Sequence, residues 1–274
     1  MIPFSPSKPL LNLRIQSSHS MKSIISFVIR YVPRPLLQQI SPLVMKVFAK
    51  LNKGNQVQCP VCNSQYSKFL PYGRIARANA LCPNCLSLER HRLMWLYLRE
   101  NTNFFTAKLK VLHIAPEHCF IDRFETLPNL EYITADIESP LAKVKMDVHE
   151  IPFPENTFDV IFCNHVLEHV DNDIQACSEF NRVLKPSGWG ILQSPVYNLP
   201  ETIEDKSITD PAERERLFGQ RDHVRKFGKD YAARLRNSGL KIEENDFVKK
   251  LDANQVQRFA LAPEETVFIC KKGN

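Results

Sequence analysis

The sequence DVHEIPFPENTFDVIFCNHVLEHV (residues 147–170), continued by RVLKPSGWGILQSP (182–195), contains the most informative pattern in the chain. A short apolar run, made by Phe158, Val160, Ile161 and Phe162, follows a turn rich in Pro and Asn, as a buried parallel strand does. The polar residues Cys163–His165 come directly after this run. Because open α/β sheets bind ligands at the carboxyl ends of their strands, this position is a candidate site.

A helix is predicted between these two pieces. Asp171 or Asn172 is suited to cap its start, and Lys185–Gly188 predicts a turn that ends it before a new strand begins at Gly190. Its apolar residues recur at helical spacing, at Ile174, Cys177, Phe180 and Leu184. A strand, a helix and a second strand in this order predict a doubly wound parallel sheet.

Further strand patterns flank this unit on both sides. Three precede it, and two that follow it near the end of the chain are expected to form an antiparallel hairpin. The predicted strands are Lys110–Ala115, Leu130–Thr134, Lys145–Met146, Leu240–Phe247 and Thr266–Lys271. The chain is long enough for one α/β domain and a smaller additional module.

Five motifs in this order resemble those of class I S-adenosylmethionine-dependent methyltransferases with a methyltransferase type 11-like domain. They are Asp147, Ile151–Phe153, Phe158–Val160, Asn164–His169 and Leu184–Gly188. The resemblance implies a Rossmann-like sheet of seven strands, S-adenosylmethionine as cofactor, and an enzyme that transfers a methyl group to an acceptor that the sequence does not identify.

The resemblance also implies which residues contact the cofactor. Asp136, at the end of the second strand, corresponds to the acid that binds the ribose hydroxyls. Asp147 corresponds to the residue beside the adenine amino group, and Asn164 and His165 to the methionine side. The full predicted set is His113, Ala115, Glu117, Asp136, Ile137, Asp147, Val148, Asn164 and His165.

The loop after the first strand departs from the family pattern. It is normally rich in Gly, so that the backbone can approach the cofactor. Here it reads HIAPEH (113–118), without Gly, and Pro116 has no N–H to donate. A catalytically idle Rossmann domain is therefore kept as an alternative.

Histidines supply the candidates for proton transfer. A hydroxyl or protonated amine acceptor needs a general base, whereas a carboxylate or thiolate does not. The predicted catalytic residues are His165, His169 and His223, with Asp222 orienting His223. Arg225 and Glu168 are the predicted substrate contacts.

Two Cys-Pro-x-Cys pairs precede this domain. Cys59 and Cys62 form the first pair, and Cys82 and Cys85 form the second, with 63–81 between them. Four thiolates at this spacing predict a tetrahedral structural zinc site in a zinc-ribbon-like module. No coordination position would remain open for catalysis. The predicted divisions of the chain are a basic arm at 1–57, the zinc module at 58–88 and the methyltransferase domain at 89–274.

The N-terminal part is basic and lacks acids. The chain has a net charge of +6, and its first acidic residue is Glu89. Residues 34–52 have the pattern of an amphipathic helix with lysines off the apolar stripe. It would either cover a protein surface or contact an anionic surface, a membrane or RNA. With no transmembrane candidate, we expect a cytoplasmic protein, with peripheral membrane binding as an alternative.

Two other functions stay open at this stage. One is an RNA-binding zinc-ribbon protein or a ribosomal RNA methyltransferase, and the other is a membrane-surface methyltransferase of lipids or sugars. Steeply salt-dependent RNA binding would favour the first of these.

Overall fold

The computed structural model describes residue 45, residues 47–73 and residues 75–273. The chain divides into two units, residues 1–51 and 52–274. In the first unit, residues 45 and 47–51 are helical. Most of the predicted amphipathic helix at 34–52 lies outside the described residues, so its anionic partner stays a prediction. Within the described part, no helix has the length and apolar character needed to cross a membrane.

The second unit contains thirteen strands and six α-helices among the described residues. A short 3₁₀ helix, Phe247–Lys250, lies between β12 and α6. In chain order the elements are β1 (Lys53–Gln58), β2 (Gln65–Tyr66), β3 (Leu70–Tyr72), β4 (Arg77–Leu81), α1 (Glu89–Asn101), β5 (Leu109–Ile114), α2 (His118–Glu125), β6 (Leu130–Asp136), β7 (Val144–Lys145), β8 (Phe158–Asn164), α3 (Asp173–Val183), β9 (Leu184–Gln193), β10 (Ile203–Glu204), α4 (Pro211–Phe218), β11 (Arg225–Lys226), α5 (Tyr231–Arg236), β12 (Lys241–Asn245), α6 (Ala253–Arg258) and β13 (Val267–Lys271).

Seven of these strands form one sheet, in the order β12-β13-β9-β8-β5-β6-β7. The five strands β5 to β9 run parallel to their neighbours among themselves, and β13 is antiparallel to both β9 and β12. The predicted Rossmann-like sheet and its final hairpin are confirmed. The strand order reverses between β5 and β8, and ligands bind at such a switch point in open α/β sheets.

Burial explains why these segments become strands and helices. In β8, Phe158 and Val160 through Cys163 are fully buried, as expected for a central parallel strand covered on both faces. On α3, Cys177 and Phe180 are also fully buried, so this helix packs its apolar face on the sheet. Asn172 caps α3 by accepting a hydrogen bond from the Gln175 backbone N–H, as predicted.

One predicted turn forms differently. Residues 185–188 were expected to end the helix before a strand that begins at Gly190, but β9 already begins at Leu184. Leu184 pairs with Phe158, and Trp189 pairs with Val160, so three extra residues are accommodated on the β9 side. The Lys-Pro-Ser-Gly sequence therefore makes a bulge within the strand pairing.

The cysteine-containing segment forms two small antiparallel hairpins, β1 with β2 and β3 with β4. Its first strand begins at Lys53, inside the segment predicted as the basic arm. The helix that follows this segment, α1, begins only at Glu89. Leu86 has a left-handed backbone (φ 63°) and closes the turn of the second cysteine pair, which prevents an earlier start.

Candidate functional site

The four predicted zinc ligands lie together. Their sulfurs are all within 4.8 Å of one another, with Sγ of Cys59 3.6 Å from Sγ of Cys85 and Sγ of Cys62 3.7 Å from Sγ of Cys82. These separations are far too long for disulfides. Zinc–sulfur bonds of about 2.3 Å in a tetrahedron place sulfurs about 3.8 Å apart, so the cluster fits a zinc ion.

The two cysteine pairs have matching backbone turns. Asn63 donates its N–H to Cys59 O, and Leu86 donates its N–H to Cys82 O in the same way. Asn63 and Leu86 both adopt positive φ, at 59° and 63°. A cysteine binds metal as its thiolate, so the four sulfurs together would supply four negatively charged ligands.

A buried polar cluster lies at the carboxyl end of β5. His113 Nδ1 is 2.7 Å from the Tyr132 hydroxyl, and its Nε2 is 2.6 Å from Oε2 of Glu117. The other carboxylate oxygen, Oε1, accepts a 2.9 Å hydrogen bond from Asn164 Nδ2. Burial favours the neutral acid, but the positive charge and hydrogen bond of His113 outweigh it and lower the pKa of Glu117 to about 2. The loop without Gly therefore contains a negatively charged carboxylate, that of Glu117.

The helix α1 adds a residue to this cluster that the sequence analysis did not select. His91 Nε2 lies 3.7 Å from Glu117 Oε1, and His91 Nδ1 accepts the Leu88 N–H. Burial lowers the pKa of His91 to about 3. The sequence signal for it was weak, because a single histidine beside a cysteine pair is most often a surface residue.

Backbone strain marks the switch point between β5 and β8. Ala115 follows β5 with φ 48°, and His165 follows β8 with φ 56°. Both are left-handed conformations that cost energy for a residue with Cβ and that concentrate at functional sites. Ala115 also donates its N–H to Ala135 O, which ties the loop to β6. Ala115 therefore has the backbone conformation that Gly adopts most readily.

The two predicted nucleoside contacts lie in turns. Asp136 Oδ1 accepts the N–H groups of Glu138 and Ser139, at 2.8 and 2.7 Å. Asp147 Oδ1 accepts hydrogen bonds from the backbone N–H and from the ring Nδ1 of His149. The backbone hydrogen bond lowers the pKa of Asp147. Next to them, Ile137 is exposed and Val148 is buried.

His165 belongs to a second hydrogen-bonded group. Its Nδ1 donates to Oε1 of Glu168 at 3.1 Å, and Oε2 of Glu168 accepts the Ser194 hydroxyl at 2.9 Å. Glu168 is almost fully buried. Burial alone would raise the pKa of Glu168, but the hydrogen bond from His165 lowers it. The ring of His165 is therefore oriented by a carboxylate.

His169 and His223 face each other, with ring centroids 4.7 Å apart. Asp222 was expected to orient His223, but its carbonyl and carboxylate oxygens lie 3.3 and 3.4 Å from Nδ1 of His169. His223 Nδ1 instead donates to Phe218 O at 3.2 Å. Burial lowers the pKa of His223, so this buried imidazole is held in the neutral form.

Arg225, a predicted substrate contact, is fully buried. Its guanidinium donates to three backbone carbonyls between Leu167 and Asp171 and to the Glu204 carboxylate. These partners occupy its donors, so Arg225 holds the segment after β8 in place and does not face a ligand.

A cavity of about 1470 Å³ opens beside His165. Its walls come from the cysteine-containing segment, from the ends of β8 and β9, from 219–229, which also carries the predicted Asp222, His223 and Arg225, and from 262–266, which the sequence did not indicate as part of a site. Residues that contribute charge or aromatic surface to it include Tyr72, Arg77, Arg90, Tyr197, Lys229 and Glu265. Burial raises the pKa of Glu265. No local sequence pattern indicates that these residues line one cavity, because they are distant from one another along the chain.

One known protein family matches the part of the chain that carries these polar clusters. Residues 111–192 match the methyltransferase domain family. The match runs from β5 into β9 and therefore includes the strands whose carboxyl ends carry the polar clusters. The matched region covers the parallel part of the sheet, and the cysteine-containing segment and the C-terminal hairpin lie outside it.

Individual relatives match over shorter stretches. An uncharacterized methyltransferase of Schizosaccharomyces pombe is 40% identical over 78 residues, which is 26% of this chain and 27% of that protein. A sterol 4-C-methyltransferase of Caenorhabditis elegans is 33% identical over 98 residues, 36% of this chain and 26% of that protein. The aligned region thus spans about a quarter of the length of the curated relatives.

Among solved structures, a SAM dependent methyltransferase from Archaeoglobus fulgidus is similar with a TM-score of 0.41 and 18% identity. The alignment covers 66% of this chain and 93% of that chain.

Proposed function

We propose that this protein transfers the methyl group of S-adenosylmethionine to an acceptor bound in the cavity beside His165. The observation that carries the proposal is the methyltransferase domain match over residues 111–192, which coincides with the strands that end at the polar clusters. The cofactor supplies a methyl group already activated on a sulfonium, so the protein has to bind, align and exclude water.

The residues at the strand ends fit such a cofactor. Asp136 uses Oδ1 for its own turn, and a carboxylate has a second oxygen that can accept from ribose hydroxyls. The backbone at Ala115 already has the left-handed conformation of a Gly position. The Glu117 carboxylate, whose pKa is about 2, adds a negative charge that favours a cationic ligand nearby.

For an acceptor that must lose a proton, His165 is the base that the geometry supports best. Its Nδ1 donates to Glu168, which leaves the lone pair on Nε2, and the residue lines the cavity. The buried Glu168 carboxylate orients the ring and stabilises the protonated form. His165 is a catalytic residue in this proposal, and Glu168 is a positioning residue.

We infer a structural zinc ion at Cys59, Cys62, Cys82 and Cys85. Four thiolates complete a tetrahedron, so this ion would hold the module's fold without taking part in methyl transfer. The module contributes Tyr72 and Arg77 to the cavity wall. Its role in acceptor binding would therefore be to shape one side of the site.

Calorimetric titration with S-adenosylmethionine and S-adenosylhomocysteine tests the proposal. Two variants of one residue give a matched pair. Asp136→Asn keeps one oxygen that can accept the turn N–H groups but removes the charge and replaces the second oxygen with an N–H donor, whereas Asp136→Ala also removes the hydrogen bonds to the turn. We expect binding in the wild type and a loss of at least about tenfold in both variants, as when a charged hydrogen bond is removed. Exposed Glu155→Gln is the control. A folded wild type that binds neither ligand would contradict methyl transfer and favour an idle domain.

A further inference from the structure

The residues after β8 and those before β11 bring three potential metal ligands together. One ligand atom from each of Glu168, His169 and His223 lies within 4.8 Å of the others. The three residues come from two segments, 168–169 and 223, that are distant in sequence. Two imidazoles and one carboxylate are a donor set that binds divalent transition metals with coordination positions left open.

Both histidines are in the tautomer that metal binding requires. His169 Nδ1 lies 3.3 Å from the Asp222 carbonyl, and His223 Nδ1 lies 3.2 Å from the Phe218 carbonyl. Because a carbonyl only accepts, each Nδ1 carries the proton and each Nε2 carries a lone pair. Metal-binding histidines typically donate their second ring nitrogen to a carbonyl or carboxylate in this way.

An unsatisfied buried atom points to a ligand at this position. Nε2 of His223 is buried and has no hydrogen-bond partner among the described residues, and the side chain is only 1% exposed. Leaving a buried polar atom unpaired costs free energy, of order 1 to 3 kcal/mol. A metal ion bound at Nε2 would remove this cost.

The surrounding contacts make the cluster rigid. The Val224 N–H donates to Glu168 O, so the two segments that carry the ligands are directly joined. Arg225 donates to the carbonyls of Leu167 and Val170 on either side of Glu168 and His169. Metal–nitrogen and metal–oxygen bonds of about 2.0 to 2.2 Å place ligand atoms roughly 3 to 3.5 Å apart. Side-chain rotations that move each ligand atom by about 1 Å would close the cluster on an ion.

We propose that Glu168, His169 and His223 form a second metal site, separate from the four cysteines, that takes a first-row divalent transition ion such as Zn²⁺ or Co²⁺. Magnesium is disfavoured because it prefers oxygen ligands and retains its waters. The role of the site rests on the proposed function. Glu168 accepts hydrogen bonds from His165 and Ser194, and both of these residues line the cavity. The ion would therefore lie beside the acceptor. It would bind an acceptor oxygen and make its proton easier to lose.

Cobalt titration of the tag-free full chain, followed by absorbance and calorimetry, tests the site without any methyltransferase assay. We expect two equivalents to bind. One produces the intense thiolate charge-transfer absorption of the cysteine site, and the second binds without adding to it. Cys82→Ser should remove the first signal and keep the second equivalent.

His169→Gln and His223→Gln should weaken the second equivalent by about tenfold or more, while the exposed His118→Gln keeps both. His223 is buried, so His169→Gln, at a side chain one-third exposed, carries the test if His223→Gln does not fold. An unchanged thiolate absorption reports a folded chain. A single equivalent in the wild type, or a second equivalent that persists unchanged in His169→Gln, would overturn the proposal. Because S-adenosylmethionine binding is measured separately, its failure is distinguishable from failure of the metal site.

Discussion

Nε2 of His113, near the end of β5, lies 2.6 Å from Oε2 of Glu117, the residue just before α2. The pair spans the loop that in similar domains is rich in Gly. In this chain the loop gains its shape from this buried hydrogen-bonded pair, completed by Asn164, and from one left-handed residue, Ala115. A loop with Cβ atoms can hold a strained backbone where its surroundings fix it.

Substituting Glu117 should reveal this pair through the pH dependence of stability. The folded pKa of Glu117 is about 2, lower than its ordinary value of 4.5. Stability from the carboxylate is therefore fully present above about pH 4.5 and is lost as the pH falls toward 2. We expect Glu117→Gln to lower the free energy of unfolding at pH 7 by about 3 kcal/mol and to flatten the curve in this window. Urea unfolding at several pH values measures it.

The matched control is Glu155→Gln, at an exposed carboxylate. It should change neither the free energy at pH 7 nor its slope below pH 4.5. An equal pH slope in wild type and Glu117→Gln would show that the His113–Glu117 pair does not contribute.

Arg92 should be needed to join the zinc module to the rest of the second unit. This fully buried residue donates to the carbonyls of Asn79, Ala80 and Ser87 in the module and to those of Phe259 and Ala260 after α6. Its guanidinium also lies 4.5 Å from the centroid of the Phe69 ring. Lys cannot reproduce this planar fork, so we expect Arg92→Lys to lower the free energy of unfolding by about 2 to 4 kcal/mol.

Arg99→Lys, at the exposed end of α1, is the control for Arg92 and should stay within about 0.5 kcal/mol of wild type. Denaturant unfolding followed by both circular dichroism and cobalt–thiolate absorption separates local loss of the module from global unfolding. A stability for Arg92→Lys equal to that of Arg99→Lys would contradict the assignment.

Removing the thiolate-bound metal should unfold the module before the sheet. The two hairpins are short, and their paired turns converge on the four sulfurs. We expect Cys59→Ser, or chelation, to open residues 53–88 to proteolysis while the sheet stays protected. Cys177→Ala, at a buried cysteine of α3, should keep the metal. Proteolysis mapped by mass spectrometry measures both, and equal protection with and without metal would count against the zinc assignment.

The Glu265 carboxyl group should lower the stability of the folded protein at neutral pH. Burial raises its pKa, so the folded state holds the proton more tightly than the unfolded chain does. Stability tied to this group is present below pH 4.5 and is lost as the pH rises through the folded pKa. We therefore expect Glu265→Gln to increase the melting temperature at pH 7. The exposed Glu264→Gln is the control, and an unchanged or lower melting temperature in Glu265→Gln would contradict this account.

The sequence by itself determined the parts that depend on local pattern. Apolar runs such as Phe158, Val160, Ile161 and Phe162 predicted the buried parallel strands, because a strand covered on both faces carries apolar side chains on both. Asn172 predicted the start of α3. The spacing of Cys59, Cys62, Cys82 and Cys85 predicted one cluster, since each Cys-x-x-Cys turn directs two sulfurs to the same side.

Only the tertiary structure decided which distant side chains meet. Asp222 contacts His169 instead of its neighbour His223, and Arg225 is enclosed by the segment after β8 instead of facing the cavity. Glu265 enters the cavity from the C-terminal hairpin. These outcomes depend on which segments 50 to 100 residues apart lie side by side in the fold, and hydrogen-bond partners and burial at such distances leave no local pattern in the sequence.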